Sequence, residues 1–390
     1  MKKQATLVAL LAIGTIAVNS AFAQTPGVTP SEIKIGQTLP YSGPVSALGV
    51  IGKAEAAYYQ MINDRGGVNG RKIKMISLDD AYSPPKTFEQ TRKLVEQEEV
   101  AFISGTVGGP PNMAIRKYMN DQKVPHLFLR SGVSSLAEPD GFPWSMMGIL
   151  SYGEEARLYA VDILKTKPDA KIALLYSNDD TGKDYALNFK AGLGDKASQI
   201  VSSTTYETSD PTVDSQVVIM AASGADVLFV HATPKFAVQT LRRKSVLGWK
   251  PRTYLSVTAA SQGSVLEPAG YDNAEGALSV AWQKEPGDPQ WANDPGILAY
   301  SAWMDKYFPG ANKADSTYKN GYQGGDLTVR LLEKCGNDLS RANILKQAQN
   351  LDFELPLLLP GMRFQTSPTD YSPIKNGRLQ VFKTNRWVLM

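Results

Sequence analysis

Few residues in this 390-residue chain have the type and spacing that bond-making chemistry needs. Its two histidines, His126 and His231, each sit inside an apolar run that reads as a strand, where a neutral, buried imidazole is expected. The sequence carries neither a G-x-S-x-G elbow nor an H-E-x-x-H zinc motif. GVIGKAE has Ala47 and Ala54 where a phosphate loop requires Gly and Ser or Thr. Cys335, the only cysteine, excludes thiolate metal clusters and an intramolecular disulfide, and reads as a small buried hydrophobe near a helix end. Asp79 and Asp80 are adjacent in a strand pattern and point to opposite faces, so they cannot work on one substrate. Asp179 and Asp180 stand where they would cap a helix, or could instead offer an acid to a ligand. Binding without turnover is therefore expected, with no cofactor and no metal; a hydrolase is the weaker alternative.

The residues suited to binding lie in three loops rich in small residues. LPYSGPVSALGVIG (39–52), GTVGGPPN (105–112) and RSGVSS (130–135) each follow a strand-like run, and the first two feed a helix-like one. Free backbone N–H groups at helix starts suit an anionic or polar ligand group. Ordinary turn chemistry would also explain any one such loop. Three at matching positions favour a binding wall. Arg130 could fork onto a carboxylate, or form a structural ion pair with Glu138 or Asp140. Tyr41, Trp144, Tyr152 and Tyr322 could wall a ligand or pack in a core.

The elements that must hold these loops alternate. Strands are predicted at 33–39, 72–80, 100–105 and 125–130, with helices at 48–65 and 84–99 and over PNMAIRKYMNDQ. The rhythm restarts after Gly148, with strands at 171–177, 199–207, 225–232, 253–258 and 276–282, and helices at 151–166, over DDTGKDYALNFKAGL, and at 212–223 and 234–247. Residues 291–350 are mostly helical, and 351–390 are Pro-rich with short strands such as RLQVF. This pattern implies two α/β lobes, each a parallel sheet covered by helices. Ligands bind beyond the carboxyl ends of such strands, and two facing lobes make a cleft.

Hydrophobic content of 43% and charged content of 20% describe a globular protein. Lys2 and Lys3, the apolar run ATLVALLAIGTIAV and Ala21-Phe22-Ala23 read as a cleavable signal peptide over residues 1–23. The apolar run falls short of the ~18–20 residues that span a bilayer, so the protein is expected in the periplasm, not inserted in the membrane. Loss of the two lysines takes the formal charge from +3 to about +1, which gives no electrostatic case for nucleic acid.

SGPVSALG, INDRGGVNGRKI, Asp79-Asp80, SNDDTGKDY, ADVLFVHATP and EGALSVAW together resemble the exported solute-binding proteins of ABC transporters, most closely the type I proteins for leucine, isoleucine and valine. The resemblance runs from about Ile33 to Leu351. It implies an α/β fold of two doubly wound parallel-sheet lobes joined by three crossover strands, a monomer that closes on a small-molecule ligand and docks on permease subunits. Lobe one would be 24–148 with 283–362, and lobe two 149–282 with 363–390, crossing near 148–151, 279–282 and 361–366. Carried over by position, the ligand contacts would be Ser42, Leu48, Gly108, Gly109, Ser131, Gly132, Ser134, Thr181, Thr233 and Thr258, with Arg130 beside them. Where amino-acid binders place a hydroxyl, an aromatic and an acid, this chain resembles them with Gly109, Thr181 and Thr258. Thr258 cannot pair an ammonium, and an unpaired buried charge is costly. The expected ligand is therefore a carboxylate, amide or uncharged polar compound with an apolar body. A sensor of the same fold, signalling to a receptor, is the alternative to a transporter component.

Overall fold

The computed structural model describes residues 25–390; the signal-peptide expectation falls outside them. Five parallel strands form the first sheet: β1 (Glu32–Leu39), β2 (Lys72–Asp79), β3 (Phe102–Ser104), β4 (His126–Leu129) and β5 (Ser145–Met147), in the order β2-β1-β3-β4-β5. The second holds β6 (Ile172–Ser177), β7 (Ile200–Tyr206), β8 (Val227–Val230), β9 (Arg252–Leu255) and β10 (Leu278–Ala281), all parallel. Two strands that lie late in the chain complete the second sheet, and a small ladder, β11 (Asp352–Phe353) with β12 (Phe364–Gln365), precedes them. β13 (Arg378–Lys383) runs antiparallel to β10, and β14 (Arg386–Leu389) antiparallel to β13.

Burial follows position in the sheet. β8 is buried throughout, as a central parallel strand with both faces covered must be. Edge strand β7, IVSSTTY, alternates between half-buried and exposed residues, because only one face is covered. Helix starts are set by side-chain caps: Ser151, Asp179, Asp294, Asp315 and Ser340 each accept backbone N–H bonds from the following turn. One apolar cluster continues from Leu127 and Met147 through Leu150 and Val280 to Tyr159 and Phe229, so the two lobes share a core at the crossings. Among the described residues no helix is long and apolar enough to cross a membrane.

The crossings differ from expectation at one place. The first lies at 148–151, and the second follows β10. The third falls between Ile374 and Arg378, beyond the expected 361–366. Phe364 packs its ring 5.8 Å from that of Phe128, and Tyr371 Oη donates to the Pro143 carbonyl at 2.9 Å. Residues 363–374 thus pack on the first lobe, and only β13 and β14 join the second. The expected strand 253–258 stops at Leu255, because the Val257 N–H turns away from the ladder to the Glu155 carboxylate at 2.7 Å.

Glu155 is fully buried beneath the cleft, and also accepts from Tyr159 and Tyr185. Burial pushes its carboxyl up to about 7, against the pull of these donors. The folded protein therefore keeps a proton that the unfolded chain releases above about 4.5. The stability from this group is full below that value and is lost as pH rises through about 7. We expect a lower Tm at about pH 8 than at about pH 5.5, with the difference reduced in Glu155→Gln; thermal melts across that range check it.

Candidate ligand-binding site

A cavity of about 120 Å³ lies between the lobes. Leu48, Ile51, Val107 and Arg130 line it from the first lobe, Tyr152, Val257 and Thr258 from the second, and Ile149, Leu150, Val280 and Trp282 from the crossings. Leu48 is delivered by the 3-10 turn Ser46–Gly49. A Cβ at Gly49 would lie 3.0 Å from the Tyr41 ring, and one at Gly52 2.2 Å from the Tyr41 hydroxyl. These glycines make room for Tyr41, which bonds Ser77, so that the turn can pack flat against β1.

Arg130 is the unusual group on this wall. Its side chain is only 9% exposed. Nη2 lies 3.6 Å from Glu55 Oε2, an ion-pair contact too long for a hydrogen bond, and Nε has no partner among the described residues. Glu55 is instead held by Gln37 Nε2 at 2.7 Å and Tyr59 Oη at 2.8 Å. Neither Glu138 nor Asp140 pairs with Arg130; Glu138 faces Arg116. The backbone beside it is irregular. Two residues upstream, Phe128 takes φ 55°, with a register shift between β4 and β5, and Gly148 leaves the space where a Cβ would come within 2.6 Å of the Phe128 backbone. A bulky residue in this region costs on the order of 1–3 kcal/mol, and such strain gathers at functional sites. A Cβ at Gly324 would lie 1.7 Å from Arg130 Nη2.

The helix Ser316–Cys335 completes the wall with Lys319 and Asn320. Lys319 pairs with Glu285 at 2.6 Å. Among the described residues Glu285 is the only acid on the wall, and this pair already engages it. Among the described residues no group of three or more metal-ligating side chains occurs.

This geometry coincides with a family match. A model of the periplasmic binding protein family matches residues 32–385. The chain belongs to that family. A Leu/Ile/Val-binding protein homolog from Brucella suis biovar 1 is 24% identical over 335 residues, 81% of each chain. A branched chain amino acid ABC transporter structure from Thermus thermophilus with bound valine superposes with a TM-score of 0.84, at 17% identity over 92% of this chain and 95% of that one. A Rhodopseudomonas palustris solute binding protein of an ABC transporter, in complex with benzoate, gives 0.78 at 19% identity, over 92% and 96%. The fold is the type I periplasmic binding protein fold. Family and structural neighbours are binding proteins, not enzymes.

Of the contacts expected by position, this binding protein brings Leu48, Arg130 and Thr258 to the cavity and turns the others elsewhere. Ser42 donates to Asp79 Oδ2 at 2.6 Å, and the Tyr41 and Ser42 N–H groups go to Asp79 Oδ1, so the first loop is occupied by its own neighbour. Gly108 has φ 98° and a Cβ there would strike the Tyr82 ring. Gly109 faces Thr181 across the lobes. Ser131 is fully buried, and Gly132 packs on Leu150 and Tyr152 at the first crossing. Ser134 donates to Asp184 of the second lobe through N and Oγ. The Thr233 N–H is taken by the Tyr206 hydroxyl. Gly109, Ser134 and Thr181 thus form a seam where the lobes meet, and the cavity lies on the hinge side of it. Thr258 Oγ1 bonds Ser256 and the Ala232 carbonyl. Tyr152 lines the cavity, whereas Tyr322 packs with Tyr58 and Trp303. Burial pushes His126 and His231 down to about 3, so both stay neutral.

Lys319, Asn320, Trp282 and Glu285 did not stand out in the sequence. One signal was present: Gly321, Gly324 and Gly325 inside a helix are unfavourable by ~1 kcal/mol each unless packing requires them. Gly321 lies on the Ile51 backbone and Gly325 on Tyr58, which sets the helix so that Asn320 lines the same cavity as Arg130.

A Cβ at Gly109 would lie 2.1 Å from Thr181 Oγ1. Gly109→Ala should therefore weaken binding of any cleft ligand about tenfold by blocking closure, and adding Thr181→Ala should restore most of it. Calorimetric titration of the single and double variants measures the coupling.

Proposed function

We propose that this protein is the substrate-binding component of an ABC importer, and that it captures a small carboxylate with an apolar body in the interlobe cavity for delivery to permease subunits. The observation that carries this reading is Arg130: a nearly buried guanidinium on the cavity wall that makes one 3.6 Å ion-pair contact and no hydrogen bond among the described residues. Buried donors of this strength require acceptors, and a carboxylate matches a guanidinium's fork. The apolar body would rest against Leu48, Ile149, Val257, Val280 and Trp282. Free α-amino acids fit less well, because the one acid on the wall already holds Lys319. The benzoate-bound neighbour is a precedent for an amine-free carboxylate on this fold. Lobe closure across the Gly109–Thr181 and Ser134–Asp184 seam would exclude water and form the surface that a permease reads. This reading places the protein in the periplasm as a monomer.

Thermal-shift screening of the protein should give a rise in Tm with aromatic and branched aliphatic carboxylates, and none with their amides, amines or parent amino acids. Arg130→Gln should weaken the carboxylates roughly ten- to a hundredfold, as expected for loss of hydrogen bonds to a charge worth ~1.5–3 kcal/mol. Gly324→Ala, which crowds Nη2 without changing charge, should act in the same direction. A Tm rise with leucine that survives Arg130→Gln would refute the assignment.

A further inference from the structure

The turn after β2 holds two successive side chains in a backbone region that favours glycine: Ala81 at φ 51° and Tyr82 at φ 60°. The adjacent carboxylates fix it. Asp79 Oδ1 accepts from the Ala81 N–H at 3.1 Å, and the fully buried Asp80 accepts from the Tyr82 N–H at 2.9 Å. So held, the Tyr82 ring lies on Gly108, where a Cβ would come within 2.3 Å of Cε2. The ring packs against a small apolar cluster of Leu39, Ile51 and Val107, and the last two line the interlobe cavity. Tyr82 also lines a second gap, of about 110 Å³, in which Pro84 and Pro110 of the first lobe face Asn178, Asp179 and Tyr206 of the second. The two spaces share no lining residue. Tyr82 on Gly108 thus continues the partition that Gly109 makes with Thr181. Burial and then the Asp179 carboxylate push the Tyr82 hydroxyl well above its ordinary range, so it stands toward the second lobe as a neutral phenol.

The distance from the guanidinium to this partition is short. A Cβ at Gly105 would lie 3.4 Å from Arg130 Nε, and Gly108 under the Tyr82 ring is three residues further on. Val107, between them, lines the cavity. Three residues of extended chain span at most about 10 Å. A carboxylate held by Arg130 with its body along Val107 therefore reaches the Tyr82 ring within that length. One aromatic ring or a short branched chain fits; two rings in line do not. We propose that Tyr82 is a specificity-determining residue that ends the cavity and limits the ligand to short, single-ring or branched carboxylates. This rests on the reading that Arg130 holds the carboxylate. The strained turn and its two carboxylates are then the device that keeps the ring standing across the cleft.

Calorimetric titration with benzoate and 4′-hydroxybiphenyl-4-carboxylate tests it. The outer ring of the second acid is the phenol that truncation of Tyr82 removes. The unaltered protein should bind benzoate at least about tenfold tighter than the biphenyl acid, because the latter overfills the cavity. Tyr82→Gly suits the left-handed backbone and joins the two spaces, so the preference for benzoate should fall at least about tenfold as the outer ring refills the vacated volume. Tyr82→Ala should act in the same direction, and Tyr82→Phe, which keeps the ring, should keep the preference. Melting curves show that each variant is folded. A ratio near one in the unaltered protein, one that persists in both truncations, or one lost in Tyr82→Phe overturns the length assignment alone, provided that benzoate binds and depends on Arg130. Failure of both acids to bind the unaltered protein and the truncations overturns it together with the carboxylate reading.

Discussion

A guanidinium withdrawn from water at the floor of the cleft constrains much of the first lobe. A buried charge needs a counter-charge and acceptors, or the fold loses stability. Glu55 supplies the charge from the helix Val50–Asp64, but its oxygens are committed to Gln37 and Tyr59. The neighbouring backbone is shaped by steric need: Gly148 lets Phe128 hold its strained φ, and Gly324 brings the helix Ser316–Cys335 against the guanidinium. Four segments far apart in the chain thus converge on one side chain whose hydrogen-bonding capacity is incompletely used.

In the proposed reading, closure and capture fall to different residues. The seam of Gly109, Ser134, Thr181 and Asp184 joins the lobes through small residues and one hydrogen-bonded carboxylate. The cavity is built from apolar groups at the crossings together with Arg130, Asn320 and Thr258. Apolar enclosure is non-directional, so a few polar groups must set ligand orientation. Separating these tasks lets ligand chemistry change at the cavity while the lobes still meet on the same backbone surfaces. It also explains the small loops. They are narrow because another part of the protein comes close, whether Tyr41, Tyr82 or Thr181.

The second lobe shows how buried polar groups can be structural. Glu155 ties the helix Tyr152–Thr166 to the Val257 turn through its backbone contact, and Tyr159 links that carboxylate to the Leu255 carbonyl and the Val280 N–H on the second crossing. His231 stacks on Tyr185 with ring centroids 4.1 Å apart. These groups hold the cleft floor and the crossing together, and none of them forms a nucleophile–base pair.

Much of the architecture was written in local pattern. Alternating apolar runs, Gly-terminated helices and Asp or Ser caps determine strands and helices within a few residues, because these signals act over one or two turns of chain. The same is true of the isolated histidines and the lone cysteine, whose context already indicated burial. The lack of a free acid at Thr258 was also legible, since it needed only residue identity. What tertiary structure decided was which loops face the cavity. Gly109 and Gly132 have the same local chemistry whether a ligand or the opposite lobe stands over them. Arg130 could be assigned to Glu138 or to Glu55 only once the helix Val50–Asp64 was placed. The third crossing moved beyond Ile374 because a two-residue ladder and one aromatic contact, too short to register in sequence, held residues 363–374 to the first lobe. Asn320 reaches the cavity wall through helix packing across three glycines, an interaction between segments over 180 residues apart that no local pattern encodes.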